Sequence, residues 1–434
     1  MSEWRNWAGL ETARPTRVAE PADVAAVVAE VERARADATT VKMMGSGHSF
    51  TAVAVPEHAM LRPGSMTGIL AVDRAAMTVT VAAGTQLRAF NHDLERLGLS
   101  LHNMGDIAEQ TMAGAISTGT HGTGGRAAGL AAQVVGLELV TGTGEVLRAD
   151  AHDNPDVLSV ARVGLGALGI ITAITFAVEP LFLLHADERP QTWDEALGSY
   201  DEVTATHDHV DLYWFPHTDR MLSKRNDRRD VGVSEARPLP PFRAWLDDDL
   251  VSNKVFGAET AMLNLLPRAI PRMNAVNARL LGARTYSDVA HRVFTTDRQV
   301  RFREMEYAVP RAAGLTALRE VRRAFDASGL RVSFPVEIRN APADDIPLST
   351  AAGRDSFYLA FHTHHAAEHA AYFALIEPIM RAHEGRPHWG KLHTRQVDGL
   401  AGAYPRFGEF LAMRDRLDPD RVFDNAYLRR VLGS

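Results

Sequence analysis

The sequence predicts a protein of mixed helices and strands with more than one domain, and three observations carry that prediction. Residues 20–100 mix helical and strand patterns, the chain runs to 434 residues, and its texture changes near Pro180. At about 150 residues per domain, that length makes two or three domains. Hydrophobic residues at 46% and charged residues at 23% are the proportions of a globular fold, so a fibrous or disordered chain is excluded.

The elements follow in order. Residues 21–36 place apolar side chains at helical spacing behind Pro21 and Asp23. A short apolar strand at 41–44 runs into the turn Gly45-Ser46-Gly47-His48-Ser49-Phe50. Residues 77–81 alternate as a strand and 86–97 read as a helix. The stretch 103–125 is rich in Gly, Ala and Thr, too small for a packed strand and too patterned for a linker. Residues 134–140 and 145–149 read as a hairpin, and 170–178 as a β-branched strand. Beyond 180, strands are expected at 308–310, 332–338 and 357–362, helices at 314–327 and 368–383, and a closing segment over the last forty residues.

Composition narrows the function. With 47 Lys+Arg against 54 Asp+Glu the net charge is −7, and no basic stripe invites nucleic acid. No apolar run of about 18 residues predicts a membrane span. The N-terminus lacks the basic start and apolar run of a secretion signal, so a cytoplasmic location is expected. There is no cysteine, which removes disulfides, thiolate metal sites and thiol nucleophiles. Only four cations are lysines: Lys42, Lys224, Lys254 and Lys391.

Several motifs bear on chemistry. Gly164, Gly166 and Gly169 satisfy G-x-G-x-x-G, but a dinucleotide fingerprint needs a helix next, and residues 170–176 read as a strand. Those glycines instead permit close packing or approach to a ligand. The turn at 45–49 is either a plain tight turn or a nest of amides for an anion. The run from Thr118 to Gly124 is a small-residue loop or a wall for a flat ligand. Glu337 and Arg339, two apart on a strand, share one face as an ion pair or a substrate contact. Residues 387–391 bring one of the scarce lysines beside His388 and Trp389. His362 and His364 alternate on a strand, yet no third ligand accompanies them, so no metal is expected.

In this order the motifs resemble those of the vanillyl-alcohol-oxidase type of flavoproteins. Within these the chain is similar to the sugar-1,4-lactone and alditol oxidase branch, which includes the L-gulono-1,4-lactone and D-arabinono-1,4-lactone enzymes. The resemblance rests on GSGHS around His48, NMGD from Asn103, GTHGTG from Gly119, the run from Ser159 to Thr172, the E-x-R strand and PHWGK, and it extends from Asn6 to Asn425.

It implies an α+β fold with a two-part FAD-binding domain of the PCMH type. That domain would span 1–180, with 394–434 returning to it, and an inserted substrate or cap domain at 181–393 would be built on a mixed or antiparallel sheet. The FAD pyrophosphate would lie against Met43, Met44, Gly45, Ser46, Gly47, His48 and Ser49. His48 matches the histidine covalently joined to the flavin in many members, and without cysteine any such bond is to His48 alone. Further flavin contacts would be Gly105, Asp106, Thr111, Gly114, Thr118 and Gly119, with Thr120, His121 and Ile170.

The implied chemistry is hydride transfer from a substrate C–H to flavin N5 with loss of the hydroxyl proton. Glu337, Arg339 and Lys391 would be the catalytic set, and Asp106, His362 and His388 would add to the substrate pocket. Gly105 and Asp106 stand where alditol oxidases resemble Ala-Ser, and His362 where they place Thr. A lactone oxidase or dehydrogenase is therefore expected ahead of a xylitol or sorbitol oxidase producing hydrogen peroxide. Dioxygen or another acceptor would take the electrons, and a bare Gly105 would leave the flavin edge open to dioxygen.

Overall fold

The computed structural model describes residues 3–244 and 254–434, and three sheets of three or more strands carry them. The first is parallel, with β1 (Arg17–Ala19) and β2 (Val41–Met43) on either side of β3 (Ala59–Leu61). Helix α1 (Val24–Ala36) starts at Asp23, whose side chain accepts from the amide of Ala26 at 2.8 Å. It buries Val27 and Val31 in a cluster that also holds Val41, Leu61, Ile170 and Phe423.

The second sheet is antiparallel. Its strands are β4 (Ile69–Asp73), β5 (Thr78–Ala82), β6 (Val134–Val140), β7 (Val146–Asp150) and β8 (Ile170–Ala177), in the order β7-β6-β8-β5-β4. Helix α2 (Leu87–Arg96) buries Phe90 against Phe176, ring centroids 5.7 Å apart. The stretch 103–125 is loop except for the short helix α3 (Met112–Ser117).

The third sheet is the largest. It contains β9 (Leu183–Thr192), β10 (His209–Trp214), β11 (Arg220–Arg229), β12 (Arg284–Val289), β13 (Phe302–Pro310), β14 (Val336–Ala341), β15 (Ser356–His364) and β16 (Arg386–Pro387). The order is β12-β9-β11-β10-β14-β15-β13-β16, and every neighbouring pair is antiparallel. Side chains on a strand alternate between faces. Leu212, Trp214, Tyr307, Ile338, Leu359 and Phe361 therefore share one face, which α4 (Gly314–Ser328) and α5 (Ala370–Ala382) cover. A Cβ on Gly314 would lie 2.2 Å from the Phe357 ring, so α4 meets the sheet at backbone contact.

Residues on the other face of the same strands are charged: Asp211, Glu304, Glu306, Glu337 and Arg339. Helices α6 (Phe407–Leu417) and α7 (Ala426–Leu432) return the end of the chain to the core formed by β5, α2 and β8.

Two strands differ from expectation. The strand expected at 332–338 begins at Val336, directly after Pro335, which has no amide to give a ladder. The strand expected at 308–310 is the end of the nine-residue β13, whose Arg303, Glu304 and Glu306 break the apolar pattern. No helix among the described residues is long and apolar enough to cross a membrane.

Replacing Phe361 by Ala should cost about 3–5 kcal/mol, since a fully buried ring is lost from the helix-covered face. A denaturant unfolding curve checks this.

Candidate functional site

Two cavities meet at His48, which lines both. The first encloses about 1020 Å³ of free space, part of it open to solvent. The turn at 45–49, the start of α3 and the chain entering β8 form its walls. Among the described residues, none of the amides of residues 45–49 has a protein acceptor. Gly47 adopts φ +70°, a conformation natural to glycine. A Cβ on Gly45 would lie 2.3 Å from the Thr111 hydroxyl oxygen, which caps α3 by accepting from Gly114 N at 3.2 Å.

Lys42 is the one Lys or Arg on this wall among the described residues. It is buried, and its Nζ donates to the Gly166 carbonyl at 3.1 Å. Burial lowers its pKa to about 7 despite the attraction of Asp424 and Asp418. Free consecutive amides beside a buried cation fit a phosphate-bearing cofactor without any helix N-terminus. Gly166 and Gly169 border the same cavity and lead into β8, so the glycine motif serves close approach.

His48 stacks on Trp7, centroids 5.5 Å apart and 25° between planes. Neither ring nitrogen has a hydrogen-bond partner among the described residues, and burial lowers its pKa, keeping the ring neutral. A neutral ring with a free nitrogen at the meeting of the cavities could bond covalently to a cofactor.

The second cavity encloses about 700 Å³ of free space and is floored by the charged face of the large sheet. The register sets its layout. Glu337 and Glu306 both lie opposite Ala360, from β14 and β13, so two carboxylates flank one small residue. Arg339 Nη2 lies 2.7 Å from Glu337 Oε1, which also accepts from Tyr213 Oη at 2.6 Å. Arg339 Nε donates to Asp211 at 2.8 Å. Asp106 pairs with Arg298, and Glu304 pairs with Lys391 and lies 3.5 Å from His362 Nε2.

Four carboxylates (Asp106, Glu304, Glu306, Glu337) thus face three basic side chains (Arg298, Arg339, Lys391). His121 reaches the fourth, Glu306. Its Nδ1 lies 2.9 Å from the Gly122 carbonyl and its Nε2 2.9 Å from Glu306, so both nitrogens face oxygen acceptors. Burial raises Asp106 and Glu304, but the cations win: Arg298, Arg339 and Lys391 bring Asp106 down to about 2, and Lys391 with His362 brings Glu304 to about 2. His121 holds Glu306 well below the usual range.

His121, Glu306 and His388 are also close enough to hold a metal. His388 Nδ1, however, accepts from the Gly390 amide at 3.0 Å, so the lone pair of that nitrogen is already engaged. Burial lowers His388 to about 4. The trio reads as a proton-bearing cluster. His364 accepts from the amide of Ala366 and does not line this cavity.

Most of the expected residues line one of the two cavities. Thr111, Gly114 and Ile170 border the first; Gly105, Asp106, Thr120 and His121 border the second; Thr118 borders both. Met44 and Gly119 border neither. Arg298, Glu304 and Glu306 were missed, although the alternate glutamates were a signal once the strand was seen to reach back to residue 302. The space beside Gly105 is not open: a Cβ there would lie 2.7 Å from the Thr120 methyl, so the missing side chain makes no path for dioxygen.

Comparison with known proteins gives the family. A family model described as FAD binding domain matches residues 15–150, and one described as D-arabinono-1,4-lactone oxidase matches residues 174–431. The chain belongs to the D-arabinono-1,4-lactone oxidase family. An L-gulono-1,4-lactone dehydrogenase of Mycobacterium tuberculosis is 38% identical over 99% of both chains. An L-gulonolactone oxidase of Bos taurus is 31% identical over 99% of this chain and 98% of its own. In fold, the family member is similar to cholesterol oxidase from Brevibacterium sterolicum at a TM-score of 0.79, with 18% identity and coverage of 99% and 96%. It is an FAD-dependent oxidoreductase of the aldonolactone oxidase and dehydrogenase type.

Two outcomes follow. Gly45→Ala should displace the Thr111 cap and lower the flavin content of purified protein, read as the ratio of flavin to protein absorbance. For Asp106, a folded pKa near 2 against 3.8 means stability present above about pH 4 and lost as pH falls toward 2. Arg298→Met should therefore destabilise the protein at pH 7 and flatten that part of the acid unfolding profile.

Proposed function

We propose that the protein oxidises a sugar-1,4-lactone of the L-gulono-1,4-lactone or D-arabinono-1,4-lactone type at C2, with FAD in the first cavity and the lactone in the second. The carrying observation is the second cavity itself, where every carboxylate is already paired with a basic side chain. Such a lining has no surplus charge for an ionised acid, and it offers spare lone pairs and N–H groups to the hydroxyls and carbonyl of a neutral lactone.

When bound, FAD accepts the substrate hydrogen as hydride at N5. The chain's own residues do the rest. The amides of 45–49 and Lys42 hold the phosphates, and His48 anchors the ring, by a covalent bond to its neutral imidazole. Arg339 fixes Glu337, and Glu337 accepts from the reacting hydroxyl. Lys391 and Arg339 supply positive charge where the alkoxide develops. Asp106, His362 and His388 shape the remaining wall. Glu304, Glu306 and Glu337 are buried on this face, which strengthens each of these interactions.

The test is anaerobic bleaching of the flavin by a panel of lactones and alditols. Lactones should bleach it and xylitol or sorbitol should not; bleaching by alditols alone would overturn the substrate assignment. Glu337→Gln should keep the flavin and slow bleaching by about 10²-fold or more. Acid-denatured wild type should retain its flavin on the pellet, and His48→Ala should release it.

A further inference from the structure

Behind Arg339 and Asp106 lies a third cavity that encloses about 450 Å³ of free space, part of it open to solvent, lined also by Asp211, Tyr213, Lys224 and Glu188. Its charges stand in register across the large sheet. Asp211 on β10 is opposite Lys224 on β11, Lys224 is opposite Glu188 on β9, and Glu188 is opposite Arg284 on the edge strand β12. Arg284 Nε lies 2.8 Å from Glu188, Lys224 Nζ 3.8 Å from Glu188, and Arg339 Nε 2.8 Å from Asp211. Signs therefore alternate from the second cavity to the sheet edge. At the inner end, Glu337 lines the second cavity and Tyr213 the third, and the hydrogen bond from Tyr213 Oη to Glu337 Oε1 crosses the wall between them.

We propose that this row is the exit path for the proton lost by the substrate hydroxyl, with Glu337 receiving it, Tyr213 relaying it and Asp211 accepting it in the third cavity. The inference rests on the proposed function. The C–H electron pair leaves with its hydrogen to FAD, as that function requires, and the hydroxyl proton passes to the Glu337 carboxylate. Glu337 then gives a proton to Tyr213 Oη as Tyr213 gives its own to Asp211 through one cavity water. The third cavity, bordered by several polar groups, has room for such a water. Nothing else is oxidised or reduced. Asp211 releases the proton to solvent beside Lys224, whose side chain is 26% exposed.

The surroundings distinguish Asp211 from its neighbours. Asp106, Glu304 and Glu306 are held low by their cations and are poor acceptors. Asp211 is instead pushed up, first by burial and further by Glu337, against Arg339 and Lys224. The groups around it are Arg339 and Glu337 from β14, Lys224 from β11, Glu188 from β9, Tyr213 on its own strand, and Asp106 and Arg298 from the loops. Arg339 cannot give up a proton, so it orients Glu337 and Asp211 without carrying charge between them.

Tyr213→Phe and Asp211→Asn in the holoenzyme test the relay. Both should keep the flavin and the lactone dissociation constant, slow anaerobic flavin reduction at saturating lactone by about tenfold or more, and enlarge its solvent deuterium isotope effect. The loss stays below the full ~10²–10⁴ of general base catalysis because Glu337 remains. In the resting protein, the infrared carboxyl stretch that Asp211→Asn removes should titrate above the ordinary aspartate range. Wild-type reduction in Tyr213→Phe, a defect in Asp211→Asn confined to lactone affinity, or an ordinary Asp211 titration would each overturn the relay while wild-type bleaching leaves the proposed function standing. A wild type that no lactone bleaches overturns the proposed function and the relay with it.

Discussion

The pleat of four neighbouring strands governs this molecule. On β10, β14, β15 and β13, every second side chain enters an apolar core under two helices, and the others form a charged floor. A slip of one residue in any of these strands would exchange the faces, placing Glu337 and Arg339 under the helices and Ile338 in the cavity. The large apolar set of Trp214, Tyr307, Phe357 and Phe361 therefore fixes the site as firmly as it fixes the fold.

A charged floor this well buried is stable only if its charges cancel. Burying a lone carboxylate costs several kcal/mol, and removing one partner of a buried pair leaves that cost uncompensated. Here Glu337 is paired within its own strand, and the other three carboxylates have partners from a different part of the chain. Asp106 comes from the Gly-rich stretch and pairs with Arg298, Glu304 from β13 with Lys391 beyond β16, and Glu306 with His121. These pairs stitch the stretch at 103–125 to the large sheet. The cancellation that holds the parts together also suits the cavity to a neutral polyhydroxylated ligand.

Legibility in the sequence followed local determinism. The turn at 45–49 could be read because five residues including two glycines after a strand leave amides unsatisfied. The face shared by Glu337 and Arg339 follows from strand periodicity, and their 2.7 Å contact agrees. Glu304 and Glu306 were lost because alternate glutamates beside Arg303 look like a solvated edge until β15 and β16 are known to flank them. Arg298 carries no local signal at all, since only the tertiary fold brings it to Asp106. The notion that Gly105 opens the flavin edge failed for the same reason: the neighbour that fills the space, Thr120, is fifteen residues away.

The central claim is that this charge-balanced face presents C2 of a neutral sugar lactone to the flavin held at His48. Stopped-flow anaerobic reduction with L-gulono-1,4-lactone, unlabelled and deuterated at C2, tests it most directly. The account predicts that the lactone bleaches the flavin and that deuterium at C2 slows the bleaching several-fold. Bleaching that is indifferent to deuterium at C2 but slowed by deuterium elsewhere on the ring, or no bleaching by any lactone, would contradict it.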